Sequence, residues 1–148
     1  MFSIRSEYGA ALEKDVTLIW SVPPDIPLLE SDGVRLKQIL NYLIDNAIKF
    51  TEEGTVSVSV CELPREGMIE FRVSDTGVGI SEESIPLIFE KFRQIDSTDT
   101  RVYGGIGLGL YLARTYTRML GGTIAVQSQL GHGATFTLRL PISSRAEP

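Results

Sequence analysis

The chain has 148 residues, 43% of them hydrophobic, and its 14 basic and 19 acidic side chains leave a net charge of −5. That is material for one hydrophobic core and not for two, and the acidic balance argues against sequence-independent affinity for nucleic acid while leaving a local phosphate site open. No apolar run approaches the roughly 18 residues of a membrane helix, and the start MFSIRSEYGAALEKD lacks the order of a signal peptide. A cytoplasmic domain without membrane contact of its own is expected, whether or not its parent protein is membrane-bound.

Residues 3–14 suit a short helix, and 16–22 (VTLIWSV) a strand bounded by Pro23 and Pro24. From Asp32, an N-cap residue, apolar side chains recur at Leu36, Ile39, Leu40, Leu43, Ala47 and Phe50, the spacing of one helical face, which Gly54 is expected to end. TVSVSVCEL (55–63) and MIEFRVSD (68–75) alternate around Pro64, Arg65, Glu66 and Gly67, as an antiparallel hairpin does. Within that alternation the lone Cys61 reads as packing. A short helix near 82–92, a polar stretch at 93–104, a helix at about 107–120 closed by Gly121 and Gly122, and strands at 123–128 and 134–140 follow. The elements predict a two-layer α/β (α+β) sandwich with the helices on one face of the sheet.

Three stretches carry chemistry. On the long helix, Tyr42, Asn46 and Lys49 fall on one polar seam. An amide oxygen is a hard ligand for Mg²⁺ and an ammonium a movable point charge for phosphate; an Asn at a core margin beside an exposed Lys serves a purely structural role equally well. Asp75 ends a strand and is followed by Gly77 and Gly79, which remove the side chains that would fill a crevice beyond the sheet. A carboxylate there accepts from the exocyclic amino group of adenine and opposes the guanine carbonyl, favouring ATP over GTP. Asp-x-Gly is also an ordinary turn.

The third stretch, YGGIGLGLYLARTYTRML, sets Gly104, Gly105, Gly107 and Gly109 before a helix, where open backbone amides favour anions. Close packing of helix on sheet would ask for the same glycines. Position 110 is Leu, so the G-x-G-x-x-G dinucleotide pattern is not met. Between the clusters, Phe89 and Phe92 are placed to anchor the polar segment QIDSTDTR, a lid from which Arg101 either reaches a phosphate or stays solvated. His132, between two glycines, is expected exposed on a turn and without a catalytic role.

In this order, RLKQILNYLIDNAIKFT, VSDTGVGI, FEKFRQ and GGIGLGLYLARTYTRMLGGTIAVQSQLGHGATFTLRLP resemble the catalytic ATP-binding domain of sensor histidine kinases of two-component systems, over roughly residues 12–142. The resemblance implies the Bergerat fold, a mixed and mainly antiparallel sheet shared with gyrase B and MutL. It also implies ATP and Mg²⁺ as cofactors, with Asn46 as metal ligand, Lys49 on phosphate, Asp75 on adenine, and Gly77 and Gly79 as the floor of the base pocket. Gly105, Gly107 and Gly109 then carry the phosphate end of the lid, and Phe89 and Phe92 anchor it. Ile80, Arg101, Tyr103, Leu108 and Thr135 complete the expected nucleotide-binding set.

The resemblance implies transfer of the γ-phosphoryl group to a histidine on a dimerisation domain, and a response regulator downstream. No such histidine precedes the domain, so the chain is expected to be a fragment: 1–15 a remnant of the preceding linker or helix, 16–142 the catalytic domain, 143–148 a flexible tail. Two departures stand out. Tyr42 replaces an Asn common one turn before the metal ligand, and being un-ionised it cannot act as the water-activating base of hydrolytic relatives. Ile106 replaces a small hydroxyl residue. An anti-sigma-type serine kinase, and a nucleotide-binding regulatory module without transfer activity, are the competing readings.

Overall fold

The computed structural model describes residues 15–25, 32–90 and 109–142. The expected opening helix at 3–14, the polar lid, most of the second glycine cluster and the tail lie outside them. β1 (Asp15–Ser21) forms where the β-branched run predicts it. Asp32 caps α1 (Gly33–Lys49), its Oδ1 accepting from the Val34 and Arg35 amides at 3.0 and 3.2 Å and so satisfying donors that the first helical turn leaves open. The helix stops at Phe50 rather than at Gly54: the Thr51 hydroxyl turns back onto the Ala47 carbonyl at 2.8 Å. Gly54 instead lies in β2, with φ +147° and Thr76 Oγ1 in the place of a side chain.

β2 (Glu53–Leu63) and β3 (Met68–Asp75) make the expected hairpin. The helix expected near 82–92 contracts to a 3-10 turn at Ile85–Leu87 within the described residues, because Pro86 lacks the N–H that would bond back one turn. α2 (Gly109–Met119), β4 (Thr123–Ser128) and β5 (Ala134–Pro141) follow.

The strands form one five-stranded sheet in the order β1-β2-β3-β5-β4; β1 runs parallel to β2 and every other pair is antiparallel. α1 packs on α2 and on β3 and β2, and α2 reaches β4. One face of the sheet is therefore apolar: Val56, Val58, Ile69, Phe71, Val73, Phe136, Leu138 and Leu140 meet Leu36, Ile39, Leu40, Leu43, Ile44 and Ala47 of α1. Alternation turns β2 residue Cys61 to the other face, where it is exposed, 3.8 Å from Glu70 Oε1, and takes no part in the core. Glu70 itself is buried there between Arg72 and Arg139, each at 2.9 Å. No helix among the described residues is long and apolar enough to cross a membrane.

Candidate functional site

Asp75 is the last residue of β3 and shares the inward parity of Ile69, Phe71 and Val73, so its carboxylate ends a row of core side chains and is 9% exposed. Oδ1 accepts from the Gly77 amide at 2.9 Å. Burial pushes the carboxyl above its ordinary range, against the pull of the Gly77 and Ala134 amides. A carboxylate has about four acceptor directions, so these two donors leave it capacity for a third.

The loop after Asp75 is tied down on both sides. Thr76 exchanges two bonds with Thr55, the Val78 amide donates to the Phe50 carbonyl at 3.1 Å, and the Gly131 amide donates to the Val78 carbonyl at 2.7 Å. The glycines serve this packing. A Cβ on Gly77 would overlap the Phe50 carbonyl, and one on Gly79, which has φ +74°, would overlap the Gln129 carbonyl. Both glycines let backbone approach backbone, and Gly79 also lines a cleft with Asp75.

Four elements, α1 with its C-cap, β3, the loop after β3 and β5, converge on one small cleft, open to solvent and lined by Asn46, Phe50, Asp75, Gly79, Ile80 and Ala134. Ile80 and Ala134 are apolar walls, 3% and 7% exposed; Asp75 supplies a charged acceptor and Asn46 an amide on α1. Of the residues singled out in the sequence, Asn46, Asp75, Gly79 and Ile80 are brought together. Phe50 and Ala134 were missed.

Other expected site residues stand elsewhere. Lys49 is exposed in the last turn of α1 and does not line the cleft, nor does Gly77. Thr135 is turned away: Asp75 pairs with Ala134, so alternation sends Thr135 to the opposite face, where its Oγ1 bonds the Ser74 hydroxyl at 2.6 Å. Thr135 does not line the cleft, whereas Ala134 does. Phe89 is buried edge-on to Phe136, centroids 6.1 Å apart, with the Arg114 guanidinium 5.4 Å from its ring, which makes it a core anchor. Tyr42 leaves the polar seam and packs on Tyr116 of α2 at 6.4 Å; burial and Tyr116 raise its hydroxyl pKa, against Arg35. Gly109 faces Tyr42. His132 is exposed on the β4–β5 turn. Phe92, Arg101, Tyr103, Gly105, Ile106, Gly107 and Leu108 lie outside the described residues.

A sheet covered by helices on one face, with a buried acid at a strand tip opposite a helix-borne amide, defines a ligand-binding α/β domain. Residues 31–144 match the family described as histidine kinase-, DNA gyrase B-, and HSP90-like ATPase. The chain is 44% identical over 137 residues to the autoinducer 2 sensor kinase/phosphatase LuxQ of Vibrio vulnificus, covering 88% of this chain. It is also 44% identical over 125 residues to the circadian input-output histidine kinase CikA of Synechococcus elongatus, covering 83%. The chain spans 16% of the length of each of these relatives. Among solved structures, full-length ShkA in complex with AMPPNP superimposes with a TM-score of 0.79 at 36% identity, over 93% of this chain and 28% of that one. The catalytic domain of the histidine kinase ThkA, at 23% identity, shares the fold with a TM-score of 0.79 over 95% of this chain and 88% of that one. The chain belongs to this ATPase family, as a catalytic ATP-binding domain of the sensor histidine kinase kind.

Proposed function

We propose that this domain binds Mg·ATP with the adenine in the Asp75 cleft and presents the γ-phosphate to a histidine on a separate dimerisation domain of a longer protein, with a response regulator downstream. In this reading residues 16–142 are the catalytic unit. The observation that carries it is the union in one cleft of the Asp75 carboxylate with the Asn46 amide.

The residues fit such a ligand. A buried acceptor between apolar walls selects a flat ring that offers an amino donor, and adenine offers one. Mg²⁺ takes one or two protein oxygens and completes its shell with phosphate and water, a demand the Asn46 amide oxygen meets from the rim. When bound, Mg·ATP supplies the transferable phosphoryl group and the metal charge that offsets the negative charge developing in transfer. The protein contributes orientation: Asp75 fixes the base, the clasped loop at 76–80 holds its wall, and Asn46 sets the metal's place. Tyr42, packed on Tyr116 with its pKa raised, supplies no base for activating water, which supports transfer to a partner histidine over free hydrolysis. The complex of ShkA with AMPPNP and the sensor kinases among the relatives support the same reading.

The test is calorimetric titration of the full chain with ATP, ADP and GTP, with and without Mg²⁺, followed by incubation of the labelled complex with a dimerisation domain. Binding that prefers adenine and gives acid-labile label on the added histidine is expected. Equal binding of GTP would remove Asp75 from base recognition, and label on a serine of an added protein would replace the histidine reading.

A further inference from the structure

On β4, Ile124, Val126 and Ser128 share the inward parity, so a row of apolar side chains ends in a hydroxyl. A polar residue on an apolar face calls for an explanation, and here the hydrogen bonds give one. Ser128 Oγ accepts from the Ile80 amide at 2.8 Å and donates to the Gly133 carbonyl at 2.6 Å. Ile80 lines the cleft, and Gly133 directly precedes Ala134, which lines it too. Ser128 itself does not line the cleft. One hydroxyl thus joins the loop after β3 to the turn before β5, and both walls depend on it.

Resting on the nucleotide reading above, we infer that Ser128 is a positioning residue for the base: its hydroxyl ties the two lining segments to each other, and thereby aligns the ring's amino group with Asp75. Only a side chain that donates and accepts at once can do this. The two bonds are chained through one oxygen, so each polarises the other. Without the hydroxyl the Ile80 amide, on a residue 3% exposed, loses its partner and the loop has to shift to find another. A small shift tilts the ring, and a hydrogen bond to a fixed carboxylate weakens steeply with angle. Recognition suffers beyond any change in fold stability.

The experiment compares wild type, Ser128→Ala and Ser128→Thr as full chains, titrated with ATP and with inosine triphosphate, whose base carries a carbonyl in place of the amino group. All are measured well below their unfolding midpoints. Ser128→Ala is expected to weaken ATP binding about five- to tenfold, the scale of one lost hydrogen bond, with a smaller loss for inosine triphosphate, so that the preference shrinks. Ser128→Thr, which keeps the hydroxyl, is expected to restore both. Unchanged ATP affinity in Ser128→Ala, or an equal loss for both nucleotides, would overturn the inference and leave Ser128 a structural residue. Should Ser128→Ala not fold, amide hydrogen exchange on the wild type decides: the Ile80 amide is expected to be protected and to slow further with ADP, and free exchange there overturns the clasp. A wild type that binds no ATP would bring down the nucleotide reading and this inference together; one that binds ATP while Ser128→Ala matches it defeats the clasp alone.

Discussion

The Phe50 carbonyl occupies the space in which a Gly77 side chain would stand, and it accepts the Val78 amide at 3.1 Å. The end of α1 and the loop after β3 are therefore locked backbone to backbone, with Thr51 Oγ1 2.8 Å from the missing Cβ. Gly77→Ala forces these apart. It is expected to destabilise the fold by about 1–3 kcal/mol, as overpacking does, lowering the urea midpoint with little change in slope. A variant with wild-type stability and lost ATP affinity would instead make Gly77 part of the pocket floor.

Asp75 opposes stability to function. Burial raises its carboxyl above the ordinary 3.8, against the Gly77 and Ala134 amides. A raised folded pKa means that the folded state holds this proton more tightly than the unfolded chain. The contribution is present below pH 3.8 and is lost as pH rises through the folded value. At pH 7 the charged, desolvated form works against folding. Asp75→Asn keeps an acceptor for Gly77 and removes the charge, so its melting temperature at pH 7 is expected to equal or exceed wild type, the difference shrinking in acid. ATP affinity is expected to fall by about 1.5–3 kcal/mol, the scale of a charge-assisted bond. Thermal melts from pH 3 to 8 check the sign; a variant less stable at pH 7 but not in acid has the opposite one.

What the sequence disclosed follows from periodicity. The α1 stripe, the β2–β3 hairpin and the strand-end acid were legible because 3.6- and 2-residue repeats need no tertiary information. Thr135 entered the set through the family resemblance alone: the strand at 134–140 was legible, but its register against β3, which pairs Thr135 with Ser74 and Ala134 with Asp75, is tertiary information. Phe50 was read as one more residue of the stripe, although as the helix C-cap it turns toward the cleft. The reason for Gly77 was hidden because its neighbour in space, Phe50, lies 27 residues back. Tyr42 looked polar by type, and only the approach of Tyr116 shows it to be packing.

Tyr42 joins α1 to α2 through Tyr116, over which the Arg35 guanidinium lies 4.4 Å from the ring centroid. Its ring, more than its hydroxyl, is the working part. Tyr42→Phe is expected to leave ATP affinity within about twofold and stability within about 0.5 kcal/mol, as for a substitution that touches no special feature. Tyr42→Ala is expected to lose about 1–3 kcal/mol from this half-buried contact. Denaturation and titration of both variants separate the roles. Loss of binding in Tyr42→Phe would place the hydroxyl on the nucleotide.

Asn46 offers the cleanest separation of metal from base. It is half-buried on α1, and its side chain lines the cleft that Asp75 closes. Ala is the better helix former by up to about 0.7 kcal/mol, so Asn46→Ala is expected to fold at least as well as wild type. With the amide oxygen gone, the Mg²⁺-dependent part of ATP affinity and phosphoryl transfer to an added dimerisation domain are expected to vanish. Binding of ADP in the presence of a chelator, which relies on the base, is expected to stay within about threefold of wild type, far from the tenfold that 1.4 kcal/mol represents. Paired titrations with Mg²⁺ and with chelator read the two terms separately. A variant that still transfers phosphate with Mg²⁺ would refute Asn46 as the ligand, and one that loses ADP binding in chelator would move it from the metal to the base.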